Sequence, residues 1–182
     1  GCQYLINGGG LADHLCVEET DSNYCQNIVA KYLLDCVSTM ARAIGEDEVA
    51  ERYADRAAHM KAEFNEKCID PETGKSRSVQ GVLQDTQSSY ALAIQYDMVE
   101  EENLPLFVEH YAAACKRGNG TDEYTITTGF YGTGKVLPSL TTSGKIDEAY
   151  AMFEQTKYAS WLYPITQGAT SIWERWNAYT VE

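Results

Sequence analysis

No two of the six cysteines form a C-x-x-C pair. His14, His59 and His110 also keep no ligand spacing to Cys2, Cys16, Cys25, Cys36, Cys68 or Cys115. No zinc site is therefore expected, and no cofactor motif suggests a resident cofactor. Cys25 and Cys36 fall inside a helical pattern, where thiols act as small core residues. A disulfide scaffold is not expected in a helical chain of 182 residues, and free thiols favour a reducing, cytoplasmic compartment. There is no leader peptide and no run of about 18 apolar residues, so no membrane partner is expected; a leader upstream of residue 1 would escape this reading. Positive charge is scarce, with 14 Lys and Arg against 27 Asp and Glu, a net charge of −13. That balance disfavours nucleic acid and anionic membrane surfaces.

An apolar fraction of 44% in 182 residues supports a sizeable core and a single piece of structure. Helical steps of three and four dominate it. Ile28, Val29, Tyr32, Leu33, Cys36, Val37, Met40, Ala41 and Ile44 predict a helix over 22–44, stopped by Gly45. Val49, Tyr53, Ala57, Met60 and Phe64 predict a second over 46–68. A third follows Asp85-Thr86-Gln87 and is apolar nearly all round, as a buried helix is. A fourth is predicted over 100–116, a fifth over 130–140 and a sixth over 146–155. Tyr124 to Thr127 reads as a short extended piece, and Gly8-Gly9-Gly10 as a flexible one.

Thr86, Thr128 and Thr170 each stand at a predicted loop-to-helix junction, 42 residues apart, with one helix out and one back in each interval. A fixed period of helix pairs marks a repeating helical architecture. In a toroid of such pairs the inner helices run parallel and their N-termini gather at one end. Asp21, Asp85, Thr128 and Glu174 would meet there.

Residues 160–176 hold all three tryptophans, Trp161, Trp173 and Trp176, beside Glu174 and Arg175. Thr170 or Ser171 is a suitable cap for a seventh helix, in whose first turn Glu174 would sit. Two readings are open. Indole faces can stack on a sugar ring while the carboxylate acts as acid or base. Equally, the tryptophans can be core residues, with Glu174 paired to Arg175. Elsewhere, Gly129 to Lys135 matches G-x-x-x-x-G-K, but Val136 occupies the place of the Mg²⁺-binding hydroxyl and no strand precedes it. Those glycines read as room for a close backbone approach at a helix start.

Gly168-Ala169-Thr170-Ser171-Ile172-Trp173-Glu174-Arg175-Trp176 resembles the G-A-T-T-I-W-E-R-W segment of bacterial α-L-rhamnosidases, inverting glycosidases with an (α/α)6-barrel catalytic domain. The lead-in Trp161-Leu162-Tyr163-Pro164 is similar too. Asp85-Thr86-Gln87-Ser88 with Ala91-Leu92-Ala93 is similar to the family's T-Q-T-A-L-A-L-A. Thr127-Thr128-Gly129-Phe130-Tyr131-Gly132-Thr133 is similar to its T-T-G-F-L-G-T, and Gly144 with Asp147-Glu148-Ala149-Tyr150 to its G-x-x-D-x-A-Y. Asp13-His14-Leu15 is similar to its D-W-L, with His14 in place of Trp.

The resemblance implies an all-α fold, a partial (α/α)6 toroid forming the C-terminal half of a catalytic barrel. It implies a rhamnose-containing glycoside or polysaccharide as substrate and Glu174 as general base. Asp13, Asp85, Thr128, Trp161, Tyr163, Trp173 and Arg175 are then candidates for binding the sugar. The family's general acid lies in a D-C-P-x-R-D/E-E-like segment that this sequence does not contain, so these residues alone are expected to be inactive. Six full helices are half of the toroid's twelve, which leaves apolar faces for the other half of the barrel or for self-association. Another (α/α)6 glycosidase, glucoamylase-like or an unsaturated-glucuronyl hydrolase, is the alternative enzyme reading. A non-catalytic helical-repeat domain binding saccharide or protein is the alternative outside enzymes.

Overall fold

Asp21 accepts a hydrogen bond from the Tyr24 amide at 2.9 Å and so caps the first helix, α1, Ser22–Ala43. This is a computed structural model, and it describes residues 2–8 and 10–178. Gly9 of the glycine run lies outside the described residues. The helices after α1 are α2 (Asp47–Cys68), α3 (Gln87–Gln95), α4 (Leu104–Arg117), α5 (Phe130–Thr142), α6 (Ile146–Phe153) and α7 (Tyr163–Thr166). Helical bounds at α4 and α6 differ from the sequence pattern by a few residues. Glu100 to Asn103 form a turn before α4, and Pro105 sits in its first turn, where a missing N–H costs nothing. Gly118, at φ +56, ends α4. Among the described residues no strand forms, and Thr125 to Thr127 run outside any regular element.

Turns of three residues join α1 to α2 and α5 to α6, so each of these pairs is antiparallel. α3 packs against both α1 and α5, while α2 packs on α1, α4 on α3, and α6 on α5. The described chain is thus an arc of helix pairs with α1, α3 and α5 side by side inside. This is the all-α, partial (α/α)6 arrangement.

Polar contacts hold the inner N-termini at one end. Thr86 caps α3 through a reciprocal pair with Ser89, and its hydroxyl meets that of Thr20 at 2.6 Å. The Asp21 amide donates to Gln84 Oε1 at 2.7 Å. Gln87 is fully buried; its amide group accepts from the Thr127 N–H and donates to the Thr125 carbonyl. That exchange ties the start of α3 to the chain leading into α5 and leaves the buried amide satisfied.

The core lies between the helix layers, around Phe64, Tyr90, Phe107, Tyr111, Leu140 and Met152. α3 is buried from Gln87 to Ala93, as its all-round apolarity predicts. α1 differs from its pattern. Ile28 and Ala41 face in, but Tyr32, Leu33, Met40 and Ile44 are exposed, and Tyr24, Asn27, Lys31 and Ser38 are buried instead. The polar ones are buried because each finds partners. Asn27 bonds the backbone of Ile6, and Lys31 bonds the Tyr96 and Asp97 carbonyls and pairs with Asp35 at 2.9 Å.

A helix opening at Glu174 is not formed among the described residues. The chain has one turn of helix earlier, α7, and then bends and turns from Thr170 to Ala178. Gly168 turns at φ +80, and neither Thr170 nor Ser171 caps a helix. All six cysteines are free thiols. Among the described residues no helix is long and apolar enough to cross a membrane, and no group of His, Cys, Asp and Glu is placed to hold a metal ion.

Candidate active site

The irregular 160–176 stretch is held by its aromatic rings. Ser160 is buried and accepts from the Tyr163 amide at 3.1 Å, which starts α7. Buried Pro164 anchors that turn, and its carbonyl accepts from the Ala169 amide at 3.0 Å. Beyond Gly168 the chain folds back. Trp176 meets Trp161 edge-on, centroids 6.1 Å apart at 89°. Trp173 meets Tyr163 edge-on at 6.4 Å and 83°, and Tyr163 in turn meets Tyr158 at 5.5 Å. Edge-to-face packing is the arrangement that ring quadrupoles favour. The Trp176 indole N–H donates to the Thr128 carbonyl at 2.9 Å and fastens this stretch to the start of α5.

Between that stretch and α5 lies a cavity of about 650 Å³. Phe130, Trp161, Trp173 and Trp176 wall it, with Leu15, Ile165 and Ile172 adding apolar surface. Polar groups come from Thr133, Thr170, Ser171, Glu174 and Arg175. The size suits a small ligand, and an apolar wall with few polar groups is the usual make-up of such a site. Among the described residues Glu174 is the only carboxylate lining it. Glu174 is exposed, and among the described residues no ion pair joins it to Arg175.

Four of the candidate residues therefore share one cavity: Trp161, Trp173, Glu174 and Arg175. Tyr163 stands behind it, against Trp173. Thr128 is buried beside it; its hydroxyl meets that of Thr133 at 2.8 Å and its carbonyl holds Trp176. Asp13 and Asp85 do not line it. Asp13 is 1% exposed, and its carboxylate accepts the amides of Gly129 at 2.8 Å, Tyr131 at 2.7 Å and Gly132 at 3.1 Å, along with the Ser88 hydroxyl. It thus satisfies the orphan donors at the start of α5, for which Gly129 has no side chain.

Asp85 faces Lys75 at 2.7 Å and Arg117 at 3.6 Å, and accepts from the Tyr90 hydroxyl at 2.7 Å. Burial pushes its carboxyl up, but these bonds and the two cations outweigh it and hold it below the usual carboxylate range. Tyr90 is pushed the other way, by burial and by its bond to that carboxylate. Arg117 also pairs with Glu18 at 3.2 Å, which brings the 10–20 loop to the end of α4.

Leu15, Phe130, Thr133 and Ile172 line the cavity without having been singled out from the sequence. Phe130 and Thr133 belong to the Thr127 to Thr133 match, which was the available signal. Leu15 belongs to the Asp13 to Leu15 match and Ile172 to the Gly168 to Trp176 match, although a lone aliphatic residue in a loop has no periodic pattern around it.

The model of the bacterial alpha-L-rhamnosidase 6 hairpin glycosidase domain family matches residues 6–182. An alpha-L-rhamnosidase of Streptomyces avermitilis is 30% identical over 170 residues, 93% of this chain and 15% of that protein. One from Formosa agariphila is 38% identical over 95 residues, 52% of this chain and 10% of that protein. The crystal structure of the Streptomyces avermitilis alpha-L-rhamnosidase complexed with L-rhamnose superposes with a TM-score of 0.85 at 28% identity, over 99% of this chain and 16% of that one. The chain thus spans about a seventh of the length of such relatives.

Proposed function

Because the chain belongs to the bacterial alpha-L-rhamnosidase six-hairpin glycosidase family, we propose that it supplies the base side of an inverting α-L-rhamnosidase site. In this reading it is a single piece, the C-terminal half of the catalytic barrel. The observation that carries the proposal is the cavity in which Glu174 stands, among the described residues, as the one lining carboxylate beside the chain's three tryptophans.

A terminal α-L-rhamnosyl residue has a C5 methyl group and an apolar ring face. Indole and phenyl walls suit both, and dispersion with exclusion of water stabilises the fit. Glu174 takes a proton from a water molecule. That water attacks the anomeric carbon from the face opposite the glycosidic oxygen. The bond to the leaving oxygen breaks as a second carboxyl group, about 6.5–9.5 Å from the first in inverting enzymes, protonates it. That acid, with the remaining helices, is assigned to sequence beyond these residues. Arg175, at the cavity wall, adds donors for sugar hydroxyls or for developing negative charge.

The test uses the full-length protein carrying this segment and an aryl α-L-rhamnoside. Glu174→Gln keeps the shape and loses the basicity. Its kcat should fall about 10²–10⁴-fold with KM near that of the parent. In Glu174→Gly, azide should restore turnover and yield the β-rhamnosyl azide, because a small anion can take the water's place. A Gln variant with parental kcat would refute the assignment. Binding of rhamnoside without turnover by the parent would favour a saccharide-binding domain.

A further inference from the structure

Asp13 has a buried carboxylate that the proposed chemistry does not use. Its place is informative because of one peptide unit. The peptide joining Thr128 to Gly129 donates its N–H to Asp13 Oδ2 at 2.8 Å, and its carbonyl accepts the Trp176 indole N–H at 2.9 Å. A peptide unit is planar and stiff, so its two hydrogen-bonding ends cannot turn independently. Hydrogen bonds at both ends of one amide also polarise each other. The other Asp13 bonds, to Ser88 on α3 and to Tyr131 and Gly132 on α5, fix where the carboxylate stands. Gly129 makes the approach possible, because a Cβ there would lie 2.1 Å from the His14 carbonyl oxygen.

We propose that Asp13 is a positioning residue for the sugar site: through the Thr128–Gly129 peptide it sets the indole of Trp176, and with it the wall beside Glu174. This rests on the rhamnosidase reading for the identity of the ligand, but the positioning itself does not depend on that reading. Asp13 touches no substrate. It acts at two removes, through a peptide and an indole.

The test is a double-mutant cycle in the full-length protein, Asp13→Asn and Trp176→Phe. Phe keeps a ring in the wall and removes the N–H that reaches Thr128. Loss of one such hydrogen bond should lower kcat/KM about 3- to 10-fold in either single variant. The double variant should lose no more than the worse single one, because both cut the same chain of contacts. Fully additive losses would overturn the proposal. So would a loss of thermal stability in Asp13→Asn with kcat/KM unchanged, which is what a mere helix cap would give.

A second readout is independent of turnover. In protein labelled with 5-fluorotryptophan, the ¹⁹F resonance missing from Trp176→Phe belongs to Trp176, and it should shift in Asp13→Asn. If it stays in place, the proposal fails even if the enzyme is a rhamnosidase. If it shifts while the parent shows no rhamnosidase activity, the positioning stands and the functional reading falls. If Asp13→Asn does not fold, Ser88→Ala removes one donor to the same carboxylate without stranding a buried partner. It should move the same resonance by less, and no movement would count against the proposal.

Discussion

Alanine at Gly129, Gly132 and Gly134 should act with three different magnitudes and two signs. At Gly129 the new Cβ would lie 2.1 Å from the His14 carbonyl oxygen and 2.6 Å from that of Asp13. Both are backbone atoms, and the His14 carbonyl also accepts the Phe130 amide at 2.9 Å. Relief requires the Asp13–His14 backbone to part from α5. That sacrifices a neutral hydrogen bond worth about 1 kcal/mol and strains a charge-assisted one worth about 1.5–3, so the expected loss is about 3 kcal/mol.

At Gly132 the neighbours are side-chain atoms: Asp13 Oδ2 at 2.7 Å, with Ser88 Oγ and Thr128 Cβ at 2.8 Å. Overpacking of this kind costs about 1–3 kcal/mol, and alanine returns up to about 1 through helix propensity. At Gly134 nothing lies within 4 Å. Alanine there should gain about 0.5 kcal/mol, less than the full helix increment, because Pro138 has no N–H for the Gly134 carbonyl. The assay is the thermal midpoint, which moves about 2–4 °C per kcal/mol in a domain of 150–250 residues. The expected order is Gly134→Ala above the parent, Gly132→Ala below it, and Gly129→Ala lowest by at least about 6 °C. If all three fall alike, or if Gly129→Ala melts with the parent, the close approach of the Asp13 loop is not what these glycines serve.

Asp85→Asn should lower stability at pH 7 by about 1 kcal/mol, less than a fully buried charge-assisted bond is worth, because its partners are partly exposed. Since the folded carboxyl lies below its unfolded value, its stabilisation is present above the unfolded pKa and is lost as pH falls through the folded one; urea midpoints of parent and variant should converge below about pH 4, and a constant gap down to pH 2 would refute this. On the alkaline side, burial pushes the Cys25 and Cys68 thiols up to about 12, and Cys115, Tyr24 and Tyr111 are raised for the same reason. Their stabilisation is complete below the unfolded thiol pKa of about 8.5 and is lost as pH rises through the folded values, so urea midpoints should decline from about pH 9. A midpoint unchanged to pH 11 would show that those groups ionise freely in the fold.

The helix pairs could be read from the sequence because their signals are local. Ala57, Met60 and Phe64 recur at steps of three and four on α2, and all three are buried. Thr86 stands three residues before Ser89, and the reciprocal cap forms. α1 was harder. Its apolar residues surround more of the helix than one neighbour can cover, so the pattern alone does not say which side faces α2 and α3. Buried Asn27 and Lys31 depend on carbonyls at Ile6, Tyr96 and Asp97, contacts between distant parts of the chain that no short window contains.

The 42-residue period held where backbone capping decides and failed where side chains do. Thr86 caps α3, and Thr128 lies one residue before the cap of α5. Thr170 opens no helix among the described residues. A helix there would carry Trp173 and Trp176 on one face, three residues apart. In the fold they part, Trp173 to Tyr163 and Trp176 to Trp161 and the Thr128 carbonyl. The two indoles go to different partners, and the backbone between them is irregular. Glu174 lies in that stretch, between the two rings. Its position is therefore set by the contacts of its neighbours rather than by a helix of its own. This is why the glycines of the G-x-x-x-x-G-K look-alike matter to the site without touching a phosphate. Gly129 lets Asp13 reach the peptide on which Trp176 hangs.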